Sequence, residues 1–287
     1  MKYITREGKQ IEEETSQDRL LEYIYTKALG RILFKPLVSP TTSVLMGKLL
    51  STRFSALFIP KFIKYAGIDM SDYEETHYSS YNDFFTRKLA IGRRTIQGNE
   101  YTLTSPCDGK ASVYPIGKKT IFSVKHTDYS LRSLLRSKKL ADRYEGGYAV
   151  ILRLTVDDCH RYCYCTSGCK SKNYYIQGIF HTVNPIANDY APIYKENARE
   201  YTVIHSDTLG DIVQMEVGAL GVGKIVNHDE KGLVKRGDEK GYFEFGGSTI
   251  ILLVQRNALQ IREDLIQNTE DGYETKILQG DILGQSK

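Results

Sequence analysis

The pattern of hydrophobic and polar positions changes near residue 100 of this 287-residue chain. Before that point, apolar residues within the segment 27–64 recur at roughly 3.6-residue spacing, which predicts two or three short helices broken at Pro36, Pro40 and Pro60. After it, short runs rich in Val, Ile, Tyr and Thr alternate with Gly, Asp and Asn turns, which indicates strands. The predicted strands, with one helix near 129–138 among them, are 102–104, 110–115, 147–156, 173–176, 179–183, 200–206, 211–217, 222–227 and 249–255.

These two patterns predict an α+β fold. A helical N-terminal part would occupy residues 1–98, and a mainly antiparallel β catalytic domain would occupy residues 99–287. With 41% hydrophobic and 26% charged residues, the chain can bury a large core. Its first residues lack the apolar stretch of a signal peptide, and no run reaches the roughly 18 apolar residues of a membrane span. We therefore expect a cytosolic protein without a spanning helix.

Positive charge is concentrated in the segment 27–64, which holds seven Lys and Arg residues and no Asp or Glu. Basic amphipathic helices bury their apolar side chains in the lipid headgroup region while Lys and Arg meet anionic lipids. Composition leaves two interpretations open: a membrane-associating segment, or a helical cap on the protein's own core with a solvated cationic face. Nucleic acid is not an expected partner, because the sequence lacks the aromatic and basic interleaving of a stacking platform.

Four of the five cysteines lie within eleven residues, at Cys159, Cys163, Cys165 and Cys169. The odd total and the close spacing predict reduced thiols and not a disulfide framework. Together with His160 these thiols could form the zinc site of a hydrolase, but the C-x-x-C pairs of structural zinc sites are missing. We expect no metal, and free thiols that are buried or partly buried.

Three short stretches suggest a chemical reaction when they are taken together: Asp108 in S-P-C-D-G, His160 in D-C-H-R-Y, and Ser248 in F-G-G-S-T. If a base removes the proton of Ser248, its oxygen can attack the carbonyl of Gly247 and convert the peptide into an ester. Elimination would release residues 1–247 and leave a dehydroalanine, which hydrolyses to a pyruvoyl group. Asp108 would orient His160, and His160 would deprotonate Ser248, as in Asp-His-Ser hydrolases.

Six motifs follow one another along roughly residues 40–284: Y-N-D-F-F-T-R-K-L at 81–89, P-C-D-G at 106–109, H-R-Y at 160–162, V-N-P at 183–185, V-G-A-L-G-V-G at 217–223 and G-Y-F-E-F-G-G-S-T at 241–249. In this order they resemble the phosphatidylserine decarboxylase family, in the branch that carries G-G-S-T in place of L-G-S-T. The resemblance implies cleavage between Gly247 and Ser248 into a β chain of residues 1–247 and an α chain of residues 248–287.

What the resemblance implies is a pyruvoyl-dependent carboxy-lyase. It would make phosphatidylethanolamine and CO2 from phosphatidylserine through a Schiff base with the pyruvoyl group derived from Ser248. Its partner would be phosphatidylserine in an anionic membrane, so the segment 27–64 is expected to bind peripherally to the cytoplasmic side of the cell membrane. The α and β chains would stay associated, and a homodimer is an open alternative.

One position departs from the family pattern H-R-x-H, whose second His is given the triad role, because Cys163 stands there. We expect His160 to act as the base in both reactions, with His181 on a neighbouring predicted strand as the second choice. A Cys163 thiolate ranks lower, since an ordinary thiol pKa of about 8.5 leaves little thiolate at neutral pH. Two hypotheses from other classes are a lipoyl-like carrier module that stays uncut and a zinc hydrolase.

Overall fold

A computed structural model describes residues 2–12, 40–74, 77–124, 127–178, 196–218, 224–245 and 248–286. The strands within these ranges are β1 (Lys2–Ile4), β2 (Gln10–Glu12), β3 (Thr102–Thr104), β4 (Gly109–Pro115), β5 (Ile121–Val124), β6 (Thr127–Ser130), β7 (Tyr148–Leu154), β8 (Arg161–Cys163), β9 (Gly168–Lys170), β10 (Tyr174–Ile176), β11 (Arg199–Ser206), β12 (Gly210–Gly218), β13 (Ile225–Asn227), β14 (Gly232–Val234), β15 (Glu239–Phe243), β16 (Ser248–Val254), β17 (Leu259–Ile261), β18 (Glu274–Ile277) and β19 (Ile282–Ser286). The helices are α1 (Pro40–Leu50), α2 (Ile59–Ala66), α3 (Tyr81–Phe85), α4 (Leu131–Leu135), α5 (Lys138–Ala141) and α6 (Glu263–Glu270).

A large sheet organises the molecule, in the order β14-β9-β11-β12-β16-β7-β4-β18-β1-β2, with β10 also paired to β11. Every pairing in it is antiparallel except the parallel pair of β1 and β18. The predicted α+β class with a mainly antiparallel β body is therefore confirmed. The β16 strand lies near the middle, between β12 and β7.

The main sheet is covered on both faces, which explains why β16 is a nearly continuous apolar run. On one face, Ile251 and Leu253 of β16 pack in a cluster with Leu134 and Leu135 of α4. On the other, Ile250 and Leu252 share a cluster with residues of the sheets β13-β15-β8 and β17-β19-β3 and of α6. Alternate side chains of β16 thus enter two separate cores, and every residue of the strand is buried.

The described helical segment packs on the β body through a small aromatic core. Phe84 and Phe85 of α3 are fully buried and form a cluster with Ile59 of α2 and with Phe245, which precedes β16. The hydroxyl of Ser55 accepts a hydrogen bond from the backbone N–H of Tyr81 at 2.8 Å. Within the described ranges, the helices are too short and too polar to cross a bilayer.

Several predicted elements need correction. Residues 2–12 are not helical but form β1 and β2, which extend the main sheet beside β18. The single helix expected near 129–138 consists of β6, α4 and α5, because Arg136 adopts a left-handed conformation with φ 53° that ends α4. The predicted strand 179–183 and the motif at 183–185 lie outside the described residues. The domain boundary at residue 98 stays a prediction.

Candidate active site

The predicted catalytic residues lie along the edge of the main sheet at which β4 and β16 begin and β7 ends. Ser248 is the first residue of β16 and pairs with Leu154, the last residue of β7. Asp108 directly precedes β4, which pairs with β7 on its other side. His160 follows the turn that begins after Leu154. Because neighbouring strands are antiparallel, the starts of β4 and β16 meet the end of β7 at the same edge.

His160 is a fully buried imidazole with a defined tautomer. Its ring packs against Phe85 with 3.9 Å between ring centroids, and its Nδ1 lies 3.0 Å from the carbonyl oxygen of Asp158. A carbonyl oxygen only accepts hydrogen bonds, so Nδ1 carries the proton and Nε2 keeps its lone pair. Burial, reinforced by the positive charge of Arg87, lowers the pKa of His160 to about 3. The side chain is therefore a neutral base at physiological pH.

Ser248 is fully buried as well, and its hydroxyl group has no hydrogen-bond partner among the described residues. The Nε2 atom of His160 is also buried and has no hydrogen-bond partner in the part of the chain that the structure describes. Buried polar atoms are normally hydrogen-bonded, so two such atoms at one sheet edge point to a chemical use. Nε2 of a neutral imidazole can accept a proton from a hydroxyl group, whereas no hydrogen bond joins His160 to Ser248 within the described residues.

The α3 helix contacts His160 and also Phe245, which precedes β16. Phe85 contacts His160 and also Phe245, with 5.1 Å between the two phenyl centroids. Asn82 accepts a hydrogen bond from the backbone N–H of Phe245 at 2.9 Å through Oδ1. The sequence motif at 81–89 thus contacts the segment that leads into Ser248, a role that the sequence interpretation did not assign to Asn82 or Phe85.

Asp108 has partners other than the one that we expected. Its carboxylate accepts two hydrogen bonds from Arg94, at 2.9 Å from Nε and 2.7 Å from Nη2, and a third from the backbone N–H of Gln279 at 2.8 Å. No hydrogen bond joins it to His160 within the described residues, and the carbonyl of Asp158 occupies Nδ1 instead. The expected orientation of His160 by Asp108 is therefore absent from this structure, whereas a catalytic role of Asp108 stays a prediction.

Close backbone approach explains the glycine beside Asp108. A Cβ atom at position 109 would lie 2.7 Å from the carbonyl oxygen of Arg153, so only glycine fits there. Arg94 extends the contacts of this region, because its Nη1 donates a hydrogen bond to Asp72 Oδ2 at 3.1 Å. Arg94 is a site residue that the sequence interpretation missed, since its distance from Asp108 along the chain gave no signal.

The cysteine cluster offers neither a base nor a metal site in the described residues. Burial raises the pKa of the Cys163 thiol to about 12, which keeps it protonated at neutral pH. Cys159 and Cys165 are also buried, whereas Cys169 is exposed. Over the described ranges, no three His, Cys, Asp or Glu side chains are arranged to hold a metal ion. The zinc-hydrolase hypothesis therefore has no ligand set there.

Two other predicted site residues, His181 and Gly247, lie outside the described residues. His181 accordingly stays the second candidate for the base, and cleavage after Gly247 stays a prediction.

Comparison with known proteins adds evidence independent of this geometry. A family model described as "Phosphatidylserine decarboxylase" matches residues 81–285. The chain is 40% identical to phosphatidylserine decarboxylase proenzyme 2 of Clostridium acetobutylicum, over 93% of this chain and 91% of that relative. It is 38% identical to the phosphatidylserine decarboxylase proenzyme of Clostridium tetani and 39% identical to that of Clostridium kluyveri, in each case over 99% of this chain and 98% of the relative.

Proposed function

The chain belongs to the phosphatidylserine decarboxylase family, and we propose that it converts phosphatidylserine to phosphatidylethanolamine and CO2 with a pyruvoyl group made from its own Ser248. The observation that carries the proposal is the buried, unpartnered hydroxyl of Ser248 at the sheet edge that also holds the neutral imidazole of His160. A carrier module would display a modifiable side chain at an exposed hairpin tip, whereas position 248 is fully buried.

The first reaction is self-cleavage, which would use the chain's own residues and one water molecule. Nε2 of His160 accepts the proton of Ser248, whose Oγ attacks the carbonyl carbon of Gly247; the C–N bond breaks and an ester forms. Elimination across Cα and Cβ of residue 248 then releases the carboxylate of residues 1–247. The remaining dehydroalanine takes up water, loses ammonia and becomes the pyruvoyl group.

The second reaction is decarboxylation, for which the pyruvoyl group supplies a ketone that condenses with the substrate amine and withdraws electrons from the bond to the carboxylate. In this proposal His160 holds and returns a proton at Nε2. The ring of Phe85 packs on the imidazole and also contacts Phe245, so apolar side chains surround this part of the site. Weak solvation of a carboxylate favours its loss as neutral CO2.

Intact-mass spectrometry of purified protein tests this proposal. We expect wild-type protein to contain two fragments, residues 1–247 and 248–287. The shorter fragment, which begins with the pyruvoyl group, should be lighter by one ammonia than the same fragment with an N-terminal serine. Ser248→Ala should remain one chain without decarboxylase activity, and Ser112→Ala, a buried serine within β4, should be cut normally. A full-length wild-type chain that is inert to carbonyl reagents yet still releases CO2 from phosphatidylserine would overturn the proposal.

We further propose that the two fragments stay associated after the cut. The α chain would contribute β16, which hydrogen-bonds on one side to β12 and on the other to β7 of the β chain. It would also contribute β18 and β19, which pair with β4 and β3. We expect both fragments to elute together in size-exclusion chromatography and to separate only in denaturant. Separate elution under native conditions would contradict this proposal.

The proposed location is the cytoplasmic side of the cell membrane, bound peripherally. Leu45, Phe54, Leu57 and Tyr65 are between 68% and 82% exposed, although they are large and apolar. Four basic residues of the same segment, all exposed, accompany them: Lys48, Arg53, Lys61 and Lys64. An exposed apolar surface with positive charges around it suits a membrane of anionic lipid.

Vesicle flotation tests whether the basic residues of this segment bind anionic lipid. We expect the wild-type protein to float with vesicles that contain phosphatidylserine and to float poorly with purely zwitterionic vesicles. A variant with four Lys or Arg residues changed to Gln, at 48, 53, 61 and 64, should lose this preference, since each basic residue contributes about 1 kcal/mol near an anionic surface. The control changes four other exposed lysines to Gln: Lys118, Lys119, Lys231 and Lys235. Equal flotation of all three proteins on both vesicles would remove the proposal.

A further inference from the structure

Arg87, the arginine of the motif at 81–89, is a buried charge that the mechanism above does not use. It is 1% exposed, and its guanidinium group lies over the rings of Tyr73 and Phe84, at 4.6 and 4.8 Å from their centroids. A buried guanidinium is costly unless its N–H groups find acceptors. The acceptors of its N–H groups therefore indicate what this side chain stabilises.

Two of its acceptors are backbone carbonyls of the turn that precedes His160, and a third, the carbonyl oxygen of Phe84, lies 3.5 Å from Nη1. Nη2 of Arg87 donates to the carbonyl oxygens of Asp157 at 2.9 Å and of Asp158 at 3.0 Å. The same Asp158 oxygen accepts the hydrogen bond from Nδ1 of His160. One carbonyl thus joins the guanidinium group to the imidazole ring, and the planar guanidinium fixes the direction in which that carbonyl points.

The groups around His160 act on its pKa in opposite directions. The positive charge of Arg87 opposes protonation of the ring, whereas the hydrogen bond to the Asp158 carbonyl and, more weakly, the carboxylate of Asp157 favour it. The carboxylate of Asp158 turns away from the imidazole, because its Oδ2 accepts hydrogen bonds from the backbone N–H and the hydroxyl of Thr155, both at 2.7 Å. His160 therefore has a carbonyl, and no carboxylate, at Nδ1.

We propose that Arg87 is a positioning residue, which holds the Asp158 carbonyl against Nδ1 of His160 and thereby keeps the lone pair of Nε2 available to Ser248. This inference rests on the proposed function, in which His160 is the base for self-cleavage. A metal-bound or catalytic His commonly relies on a second group at its other nitrogen to set the tautomer. Here a backbone carbonyl has that role, and Arg87 fixes it in place.

The direct test measures the protonation of His160 in protein that cannot cut itself. Ser248→Ala protein with ¹⁵N-labelled histidine is examined by NMR from pH 5 to 8, and His160→Gln assigns the signal among the six histidines. We expect a neutral ring protonated at Nδ1 throughout this range. Arg87→Gln should shift the signal toward a tautomer mixture, because the Asp158 carbonyl is no longer held, and it should raise the midpoint of protonation, because the opposing positive charge is lost.

Two further variants separate positioning from simple structural support. Arg87→Lys keeps the positive charge but not the planar guanidinium group. The midpoint of His160 protonation should therefore stay low, while the preference for a proton on Nδ1 weakens. If Arg87→Gln does not fold, Arg87→Lys alone tests the inference. Arg236→Gln is the control, because Arg236 also donates to backbone carbonyls, those of Gln97, Gly98 and Thr102, in another part of the chain. Its His160 signal should match the parent protein.

The rate of self-cleavage completes the test in protein that retains Ser248. Both Arg87 variants should cut at least roughly tenfold more slowly than wild type, in line with the loss of a correctly oriented base. A wild-type tautomer and midpoint in the Arg87 variants would overturn the inference, even if cutting slows. If wild-type protein never cuts, the proposed function fails, whereas the NMR result still decides the role of Arg87.

Discussion

At the scale of single residues, the buried neutral His160 makes stability depend on pH. The pKa of His160 in the folded protein, about 3, lies below the ordinary value of 6.5. Between these two pH values the unfolded chain therefore binds a proton at His160 that the folded chain does not bind. The contribution to stability is complete above pH 6.5 and is lost as pH falls from 6.5 toward 3. Between pH 7.5 and 5, Ser248→Ala protein should lose about 2 kcal/mol of unfolding free energy through this residue.

Urea unfolding at the two pH values measures this loss. Adding His160→Gln to Ser248→Ala should flatten the pH dependence by that amount, because glutamine does not titrate. His77→Gln, at an exposed position, is the matched control and should leave the curve of the parent protein unchanged. Equal pH dependence with and without His160 would show that its imidazole is not held neutral.

Cys163 stands where the family pattern has a second His, and its replacement tests whether a thiol contributes to self-cleavage. Because burial raises the pKa of Cys163 to about 12, Cys163→Ala should cut at a rate close to wild type. His160→Ala should slow cutting roughly a hundredfold or more, the usual contribution of a general base. Timed gel analysis of newly synthesised chains gives both rates, with His181→Ala measured beside them. Fast cutting by His160→Ala would shift the role of base to His181.

The sequence could predict the residues of this site better than their partners. Ser248 and His160 follow from the chemistry of a glycine-flanked serine and from the motif order, and the structure brings both to one sheet edge. The pairing of Arg94 with Asp108 depends on how two distant segments pack, and no local pattern encodes it. The carbonyl of Asp158 was equally hidden, since every residue has a carbonyl and only the fold shows which one faces His160.

At the scale of elements, prediction succeeded where burial dictates composition. The strands β4, β7, β11, β12 and β16 are long and β-branched because they form the centre of the sheet. The prediction missed β17, β18, β19 and α6, which are short or largely polar. β1 and β2 were also missed, because three-residue strands at the sheet edge bury too little to leave a pattern.

A buried ion pair joins the main sheet to the sheet that covers it. Lys240 of β15 lies 2.7 Å from the carboxylate of Glu216 of β12, and both side chains are fully buried. Lys240→Met should destabilise Ser248→Ala protein by about 3–5 kcal/mol, because Glu216 would be left as an uncompensated buried charge. Urea unfolding measures this loss of free energy.

A double change and a surface pair serve as controls for this prediction. Adding Glu216→Gln to Lys240→Met should recover part of the lost free energy, since the orphaned charge is gone. Lys138→Met breaks the exposed pair with Asp142 and should change stability by less than about 1 kcal/mol. If the buried and the surface changes have equal effects, Lys240 does not neutralise Glu216 in the folded protein.

At the scale of the whole molecule, the helical segment of residues 40–85 has a side packed on the β body and a side exposed to solvent. Its inner side supplies Phe85, which contacts both His160 and Phe245, close in sequence to the proposed cleavage site. Its outer side exposes Phe54 and Leu57 to solvent. In the proposed membrane-bound state, these exposed side chains would face the bilayer.

Apolar contact with the bilayer should therefore affect turnover without affecting self-cleavage. The double variant Phe54→Ser and Leu57→Ser removes two exposed apolar side chains, each worth about 1.5–3 kcal/mol when fully buried in an apolar environment. Turnover of phosphatidylserine in vesicles should fall roughly tenfold or more, whereas self-cleavage and turnover of a short-chain, dissolved phosphatidylserine should match wild type. Ile91→Ser with Leu233→Ser, apolar residues that are even more exposed and lie outside the helices, should leave all three rates unchanged. Equal losses on vesicles and on dissolved substrate would place the effect of Phe54 and Leu57 inside the protein and not at the membrane.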